Sequence, residues 1–273
     1  MLTLKEAYGH GIKREKEKLE FIKNNSKYNI FSIASGLRAN CITKFLYHFY
    51  EENNIKKSKQ NLYTTQKLLE FMNKLENNKY FPTQLNKLFF LCSDSKEIIA
   101  NFKNFEINSI PNLDYRIKQG HTLGFVVQQI LKCDNEKALY YLDIYETNYK
   151  SHILKEYDIE ILDAIINEDK NKIEELLKIY LLAKNHNKSS EKGMLSHNLL
   201  SYEATVFAKL AWIKGIEINI EHPLLPIELL PINPNENYEI EYDFLKPNYV
   251  DIKIHKSKLK KKDGFFERIF KKN

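Results

Sequence analysis

Two segments of the chain, residues 130–145 and 165–180, align with each other at an offset of 35 residues. In each segment a helical pattern of apolar residues ends at a polar turn that carries an aspartate, Asp134 or Asp169, and a second helical pattern begins directly after it. A repeated unit of this length is typical of helix–turn–helix hairpins, which bury their apolar faces by stacking on one another. The similarity therefore predicts a mainly α fold of stacked helical hairpins that resembles a helical-repeat protein.

The N-terminal half of the chain continues the helical pattern. Apolar residues at spacings of three and four predict further helices over residues 4–24, 30–50, 62–75, 85–91 and 96–102. The polar residues 53–60 predict a connector between two of these helices. We expect one mainly helical domain over residues 1–256, with its best internal boundary in the polar loop 186–194, followed by a basic amphipathic tail at 257–273.

A strongly apolar segment follows the hairpins in the last third of the chain. Ser201 is placed to cap a helix with its hydroxyl, and Gly215 is suited to the left-handed conformation that ends one. After the glycine, apolar and polar residues alternate over 216–221, which predicts a short strand. Pro223 and Pro226 then hold the chain extended, because the proline ring fixes φ and restricts the residue before it.

The only tryptophan of the chain, Trp212, lies in this predicted helix among the small residues Ala204, Ala208 and Ala211. These neighbours favour a core position, and the alternative is an exposed anchor of the kind that dominates protein interfaces. We therefore expect structural roles for the residues that shape this segment, which are Trp212, Gly215, Pro223 and Pro226.

The order of apolar, glycine and proline residues in the same segment also carries a family resemblance. The sequence AKLAWIKGIEINIEHPLLPIELLP, followed by the acidic and aromatic NYEIEYDFL, resembles the C-terminal part of the immunity protein 49 family. Proteins of that family are encoded beside toxins of bacterial polymorphic toxin systems. The resemblance covers roughly the last third of the chain and contains no catalytic signature.

The resemblance implies an immunity protein that is not an enzyme and that neutralises a cognate protein toxin by direct stoichiometric binding. Two alternatives stay open. The first is a helical-repeat scaffold for another protein partner, which the predicted hairpins would also suit. The second is a nucleic-acid or membrane-surface binder that works through the basic tail.

No sequence pattern typical of an enzyme or a metal site is present. None of the eight histidines forms an HExxH motif or pairs with a cysteine at a ligand spacing, and GxSxG, Walker and GxGxxG motifs are absent. His197, Glu203 and His222 could be combined into an acid–base group, but a loop histidine beside a helix start is far more often solvated. We therefore expect no catalytic residue, no metal ligand, no cofactor and no small-molecule substrate.

The distribution of charge argues against nucleic acid as the partner. The formal net charge is +6, but residues 253–273 carry nine basic and two acidic residues, so the rest of the chain is almost neutral. The tail is expected to dock on the helical body, with contact to an anionic membrane or a disordered end as the alternatives. Three widely spaced cysteines and an N-terminus without an apolar core indicate a cytoplasmic protein.

Acidic and apolar residues alternate near the C-terminal end of the body. The alternation over 238–244 and again over 250–255 predicts two more strands, which would form a small sheet on the helices or pack separately as extended segments. The outward side of the first carries four carboxylates, on Glu236, Glu239, Glu241 and Asp243. This acidic row is interpreted either as the solvated face of an edge strand or as a docking strip for a cationic toxin.

Overall fold

The computed structural model of the chain describes residues 2–23, 30–149, 154–188 and 195–246. These residues are mainly helical, which confirms the predicted fold class. The α-helices are α1 (Leu4–Lys23), α2 (Ile30–Tyr50), α3 (Ile55–Leu75), α4 (Lys96–Lys103), α5 (Leu113–Lys118), α6 (Leu123–Lys132), α7 (Asn135–Asn148), α8 (Lys155–Ile166), α9 (Lys170–Tyr180), α10 (Ala183–His186) and α11 (Tyr202–Ile213). Short 3₁₀ segments cover Leu85–Ser93, Ile107–Ser109, Leu195–Asn198, Ile227–Leu229 and Asp243–Leu245. None of the described helices has the length and apolar character that a membrane crossing needs.

Three predicted features lie wholly or mostly outside the described residues. They are the basic tail 257–273, the last alternating segment at 250–255 and the greater part of the loop 186–194. The tail, the domain limits and the internal boundary therefore stay predictions.

The two aligned segments belong to two helical hairpins, α6–α7 and α8–α9, with equivalent turns. Asp134 accepts a hydrogen bond from the Lys137 amide at 3.2 Å, and Asp169 accepts one from the Lys172 amide at 3.0 Å. Each side chain thus satisfies a helix-start amide that has no partner within the helix. The residue before each aspartate has a positive φ near 60°, which turns the chain directly from one helix into the next. The prediction of stacked hairpins is confirmed.

Helix α11 lies in the main hydrophobic core and is covered on all sides over most of its length. Ten of its twelve residues, from Tyr202 to Ala211, are buried. The Ser201 hydroxyl accepts a hydrogen bond from the Ala204 amide at 3.4 Å, as expected for a cap. Gly215, with φ 84°, takes the expected left-handed conformation and ends the helix. In a helix buried in this way, an apolar side chain must pack against the core, and a polar side chain needs a buried hydrogen-bond or ion-pair partner.

The segment after Gly215 is extended but forms no β-strand in the part of the chain that the structure describes, so the predicted small sheet is absent there. Ile216, Ile218 and Ile220 are buried, as the alternation predicts. Side chains on helices, rather than a neighbouring strand, form hydrogen bonds with the backbone of this segment. The Asn219 amide, for example, donates to a Glu174 carboxylate oxygen of α9 at 2.8 Å. The extended segments therefore pack separately on helices, the second of the two predicted arrangements.

Helix α3 begins earlier than its sequence predicts, so the expected connector over 53–60 is wrong. The Asn54 side chain accepts a hydrogen bond from the Lys57 amide at 3.0 Å and starts the helix inside the polar segment. Local polarity predicted exposure there, yet Lys59 is only 1% exposed because its ammonium group meets a distant carboxylate. A local cap therefore starts the helix, and a long-range ion pair accounts for the burial of Lys59.

Close packing of the chain requires a glycine at the start of α6. A Cβ atom added to Gly124 at the start of α6 would lie 1.8 Å from the Pro82 carbonyl oxygen, a distance that no real contact reaches. The glycine lets the backbone of the first hairpin pass directly against residues 81–82. The hairpin is thus fixed in position on the N-terminal helices.

Candidate functional site

The C-terminal segment, defined here as residues 229–246, lies across α3 and reaches α2. Hydrogen bonds join its backbone to Gln60 on both sides: the Gln60 amide group donates to the Glu239 carbonyl oxygen at 2.8 Å, and the Glu239 amide donates to Gln60 Oε1 at 3.0 Å. The Tyr238 ring stacks on Tyr63 of α3 with 4.9 Å between the ring centroids. The side chain of Gln60 therefore makes the two backbone hydrogen bonds that a neighbouring β-strand would otherwise make.

The alternation predicted for this segment sets which side chains it buries. Tyr242 and Phe244 are 2% and 6% exposed and complete a small hydrophobic cluster with residues of α2 and α3. The Phe244 ring packs edge-on against Phe71 at 5.2 Å. The intervening residues Glu239, Glu241 and Asp243 face outward and are exposed.

The four carboxylates of the acidic row are not equivalent. The Glu241 carboxylate lies 2.5 Å from the Lys44 ammonium group, which also contacts Glu15 at 3.0 Å. Burial alone would lower the pKa of Lys44, but the hydrogen bond and charge of Glu241, with a smaller contribution from Glu15, outweigh it and raise that pKa. Asp243 pairs with Lys246 at 2.6 Å. Glu241 and Asp243 are thus partly neutralised within the chain.

Glu236 and Glu239 differ from these two. Both are exposed, and neither carboxylate forms an ion pair with another described residue. No described residue therefore neutralises these two carboxylates. The structure places the acidic row on the surface, and within the described ranges half of it is without an ion pair.

A buried cluster of charged side chains fixes the start of the C-terminal segment. Asp94 forms ion pairs with two lysines, Lys59 of α3 at 2.6 Å and Lys209 of α11, and the three side chains are at most 1% exposed. Lys209 also donates to the carbonyl oxygens of residues 229, 230 and 231 at 2.9, 2.9 and 3.2 Å. Lys59 donates to the Asn233 carbonyl oxygen at 2.6 Å.

This cluster, the Lys59–Asp94–Lys209 cluster, holds two positive charges against one negative charge. Four backbone carbonyl oxygens supply the remaining negative potential, so the C-terminal segment is a necessary part of the charge balance. Sequence reasoning missed the cluster. The one usable signal was Lys209, a charged residue in a helix with no polar face.

The residues predicted to shape the segment around α11 occupy different environments. Trp212 is half-buried and packs against the main core, and its indole nitrogen is buried without a hydrogen-bond partner among the described residues. Gly215 is exposed at the helix end, Pro223 is exposed, and Pro226 is buried.

The histidines considered for acid–base chemistry make structural contacts. The rings of His186 and His197 stack at 4.2 Å, and His186 Nε2 lies 2.6 Å from the His197 carbonyl oxygen. His222 Nδ1 accepts a hydrogen bond from the Leu224 amide at 3.2 Å, and burial, with a smaller effect of His186, lowers the pKa of His222. Glu203 accepts a hydrogen bond from the Tyr180 hydroxyl at 2.6 Å. Across the described ranges, no group of three or more histidine, cysteine or acidic residues could hold a metal ion.

The fold and surface of the described residues are those of a mainly helical protein of stacked hairpins, with an acidic C-terminal segment bonded to its helices. The model of the family named Immunity protein 49 matches residues 126–229 of the chain, which confirms the resemblance. The match begins within α6, earlier than the resemblance seen in the sequence, and it ends before the acidic row. No curated protein and no solved structure matches the chain.

Proposed function

We propose that this chain is an immunity protein that neutralises a cognate bacterial toxin by direct, stoichiometric binding. The observation that carries the proposal is the match of residues 126–229 to the Immunity protein 49 family. That match runs from within α6 through α7, α8, α9 and α11, so it includes most of the two hairpins and the buried helix of the main core. A protein toxin is the partner that such a family implies.

The proposal also covers the manner of action. Binding without turnover is supported by the family and by the structural contacts that the candidate histidines make. A cytoplasmic location is included because Cys41, Cys92 and Cys133 are all free thiols, which suits a reducing compartment.

The acidic row is proposed as part of the toxin-binding surface, with the main contribution from Glu236 and Glu239. Exposed carboxylates without an ion-pair partner attract a basic partner over several ångströms and so accelerate association. Glu241 and Asp243 contribute less, since each already lies beside a lysine of this chain.

A titration distinguishes binding from catalysis. The proposal implies that a toxin is encoded directly upstream of this gene. The probe is the domain of that toxin, and its activity is followed as the immunity protein is added. A stoichiometric inhibitor abolishes the activity in a straight line that ends at one equivalent. Complete protection by a small fraction of an equivalent would instead require turnover and would overturn the proposal.

Charge reversal tests the acidic row. Glu236→Lys combined with Glu239→Lys should slow association with the toxin several-fold at low salt and change dissociation little, because steering acts on the encounter. The effect should shrink as the Debye length falls from about 30 Å at 0.01 M salt to about 8 Å at 0.15 M. The control reverses Glu156 and Glu160, two exposed carboxylates on α8. Equal slowing by both double variants would show a non-specific charge effect and refute the role of the row.

A further inference from the structure

An open groove lies between the end of α2, the start of α3 and residues 221–228. Its volume is about 540 Å³, comparable with pockets that accept a few side chains. The floor and walls are mainly apolar, with Phe49 and Tyr50 from α2, Ile55 from α3 and Leu225 from the proline-containing segment. The groove is therefore shaped to receive apolar side chains from outside.

The rim of the groove combines an exposed apolar residue with negative charge. Ile227 is 43% exposed, which is unusual for an isoleucine beside an apolar surface. Glu221 and Glu228 line the same rim, are exposed, and form no ion pair with any described residue. Lys57, which follows the groove residue Ile55 on α3, is already paired with Glu52 at 3.0 Å. Among the described residues, no ion pair compensates the two negative charges at the rim.

Residues 221–228 form the wall of the groove that carries Ile227 and the two glutamates, and hydrogen bonds hold this wall in place. At its start, the Ser201 amide donates to the Leu224 carbonyl oxygen at 2.8 Å. Immediately after it, Lys209 binds the carbonyl oxygens of residues 229–231. Pro223 and Pro226 limit the backbone freedom between these points. A wall that is already ordered loses little entropy when a partner binds, which favours affinity.

The two carboxylates of the acidic row without an ion pair, Glu236 and Glu239, follow the groove along the chain. The chain leaves the groove at residue 228, passes the 57% exposed Ile232, and reaches Glu236 and Glu239. Residues 221–239 therefore contribute both exposed carboxylates and exposed isoleucines. A basic partner with apolar anchors would match this stretch in both charge and polarity.

We propose that this groove is the docking site for a basic segment of the toxin, which inserts an apolar side chain beside Ile227 and places lysine or arginine side chains on Glu221 and Glu228. The inference rests on the proposed immunity function and adds to it the surface and the chemistry of the toxin segment. The resulting contacts are an apolar anchor in the groove and charge-assisted hydrogen bonds at its rim.

The test compares two isoleucine-sized residues of equal exposure. Ile227→Asp places a charge at the groove, and Leu139→Asp, at a residue 44% exposed on the outer face of α7, is the matched control. The probe is the same upstream toxin domain with its own catalytic residue replaced, and binding is measured by calorimetry. Ile227→Asp should weaken binding about 30-fold or more, as loss of a central anchor does, while the control stays within about threefold of wild type.

A second variant keeps the test decisive if Ile227→Asp unfolds the protein. Glu228→Lys changes only an exposed side chain and should slow association about tenfold at low salt, with recovery at high salt. Full-strength binding by both groove variants would overturn the inference. Loss of binding in the Leu139→Asp control alone would place the site on α7 instead.

Two further outcomes separate this inference from the proposed function. Failure of the wild-type protein to bind the toxin would refute the immunity function itself, and the groove assignment with it. Deletion of residues 257–273 addresses the chain's own basic tail as a competing occupant. If the deletion lowers the melting temperature of the wild type but not of Ile227→Asp, the groove holds the tail and the inference is wrong.

Discussion

The Lys59–Asp94–Lys209 cluster leads to a specific prediction about the order of mutational effects. Replacing Lys209 by Met removes one ammonium group and leaves Lys59 and Asp94 as a neutral pair. The carbonyl oxygens of residues 229–231 then lose their charged donor. Each buried acceptor left unsatisfied costs about 1–3 kcal/mol, and removal of the excess charge offsets part of that cost. We expect a net loss of about 3 kcal/mol in the free energy of unfolding.

Replacing Asp94 by Asn should cost more, although it removes only one charge. Two buried ammonium groups then lose the carboxylate that attracts both of them, while their mutual repulsion, which is also present in the wild type, is no longer compensated. Loss of a partner from a buried ion pair typically costs about 3–5 kcal/mol, and here one carboxylate serves two lysines, so we expect a loss of about 5 kcal/mol. The Asp94–Lys209 attraction is lost in both single variants, but it is lost only once in the double variant. The combined loss should therefore be about 2 kcal/mol smaller than the sum of the two single losses.

Urea unfolding of the two single variants and the double variant measures these differences. Lys214→Met is the matched control, because Lys214 follows the same helix and its one ion pair among the described residues is with the exposed Glu168 at 3.4 Å. It should cost less than about 1 kcal/mol, because the solvent screens an ion pair with an exposed carboxylate. A smaller loss for Asp94→Asn than for Lys209→Met would refute the reasoning, since the cluster would then not hold an excess of positive charge.

Three other predictions concern the body of the fold. Asp169→Ala removes the cap of α9 and should lower the free energy of unfolding by about 1 kcal/mol in denaturant melts, and an unchanged midpoint would show that the cap is unimportant. Burial raises the pKa of Cys41 and Cys92 to about 12, so a thiol reagent at pH 8 should modify one thiol, Cys133, in the native protein and three after denaturation. Fast modification of more than one native thiol would contradict this. Glu241→Lys replaces an attraction to the buried Lys44 by a repulsion and should lower the free energy of unfolding by about 2 kcal/mol in the same melts. No measurable change would show that the Glu241 carboxylate is merely solvated.

Local sequence patterns predicted the helices well where spacing alone decides them. The limits of α2 follow directly from its apolar residues, and the two aspartates of the repeat cap helices because an aspartate before a helical pattern has that local role. The extended segments after Gly215 were also predictable, since alternation fixes which side of a segment is buried.

The buried charges could not be predicted in the same way. Lys59 lies in a polar run that resembles any solvated connector, and its partner Asp94 is 35 residues away along the chain. Glu241 alternates outward with its neighbours, yet it reaches Lys44 on a helix nearly 200 residues earlier. Such pairings depend on the packing of whole helices, which no local pattern records. The same limit applies to the groove, because its two walls are far apart in sequence.

The most direct test of the account is the equivalence point of toxin inhibition by the purified protein. The upstream toxin domain is held at a fixed concentration well above the dissociation constant, and its residual activity is measured against added immunity protein. The account predicts a linear fall to zero at one equivalent and co-elution of the two proteins as a one-to-one complex. Unchanged toxin activity at a large excess of folded protein would contradict the central claim.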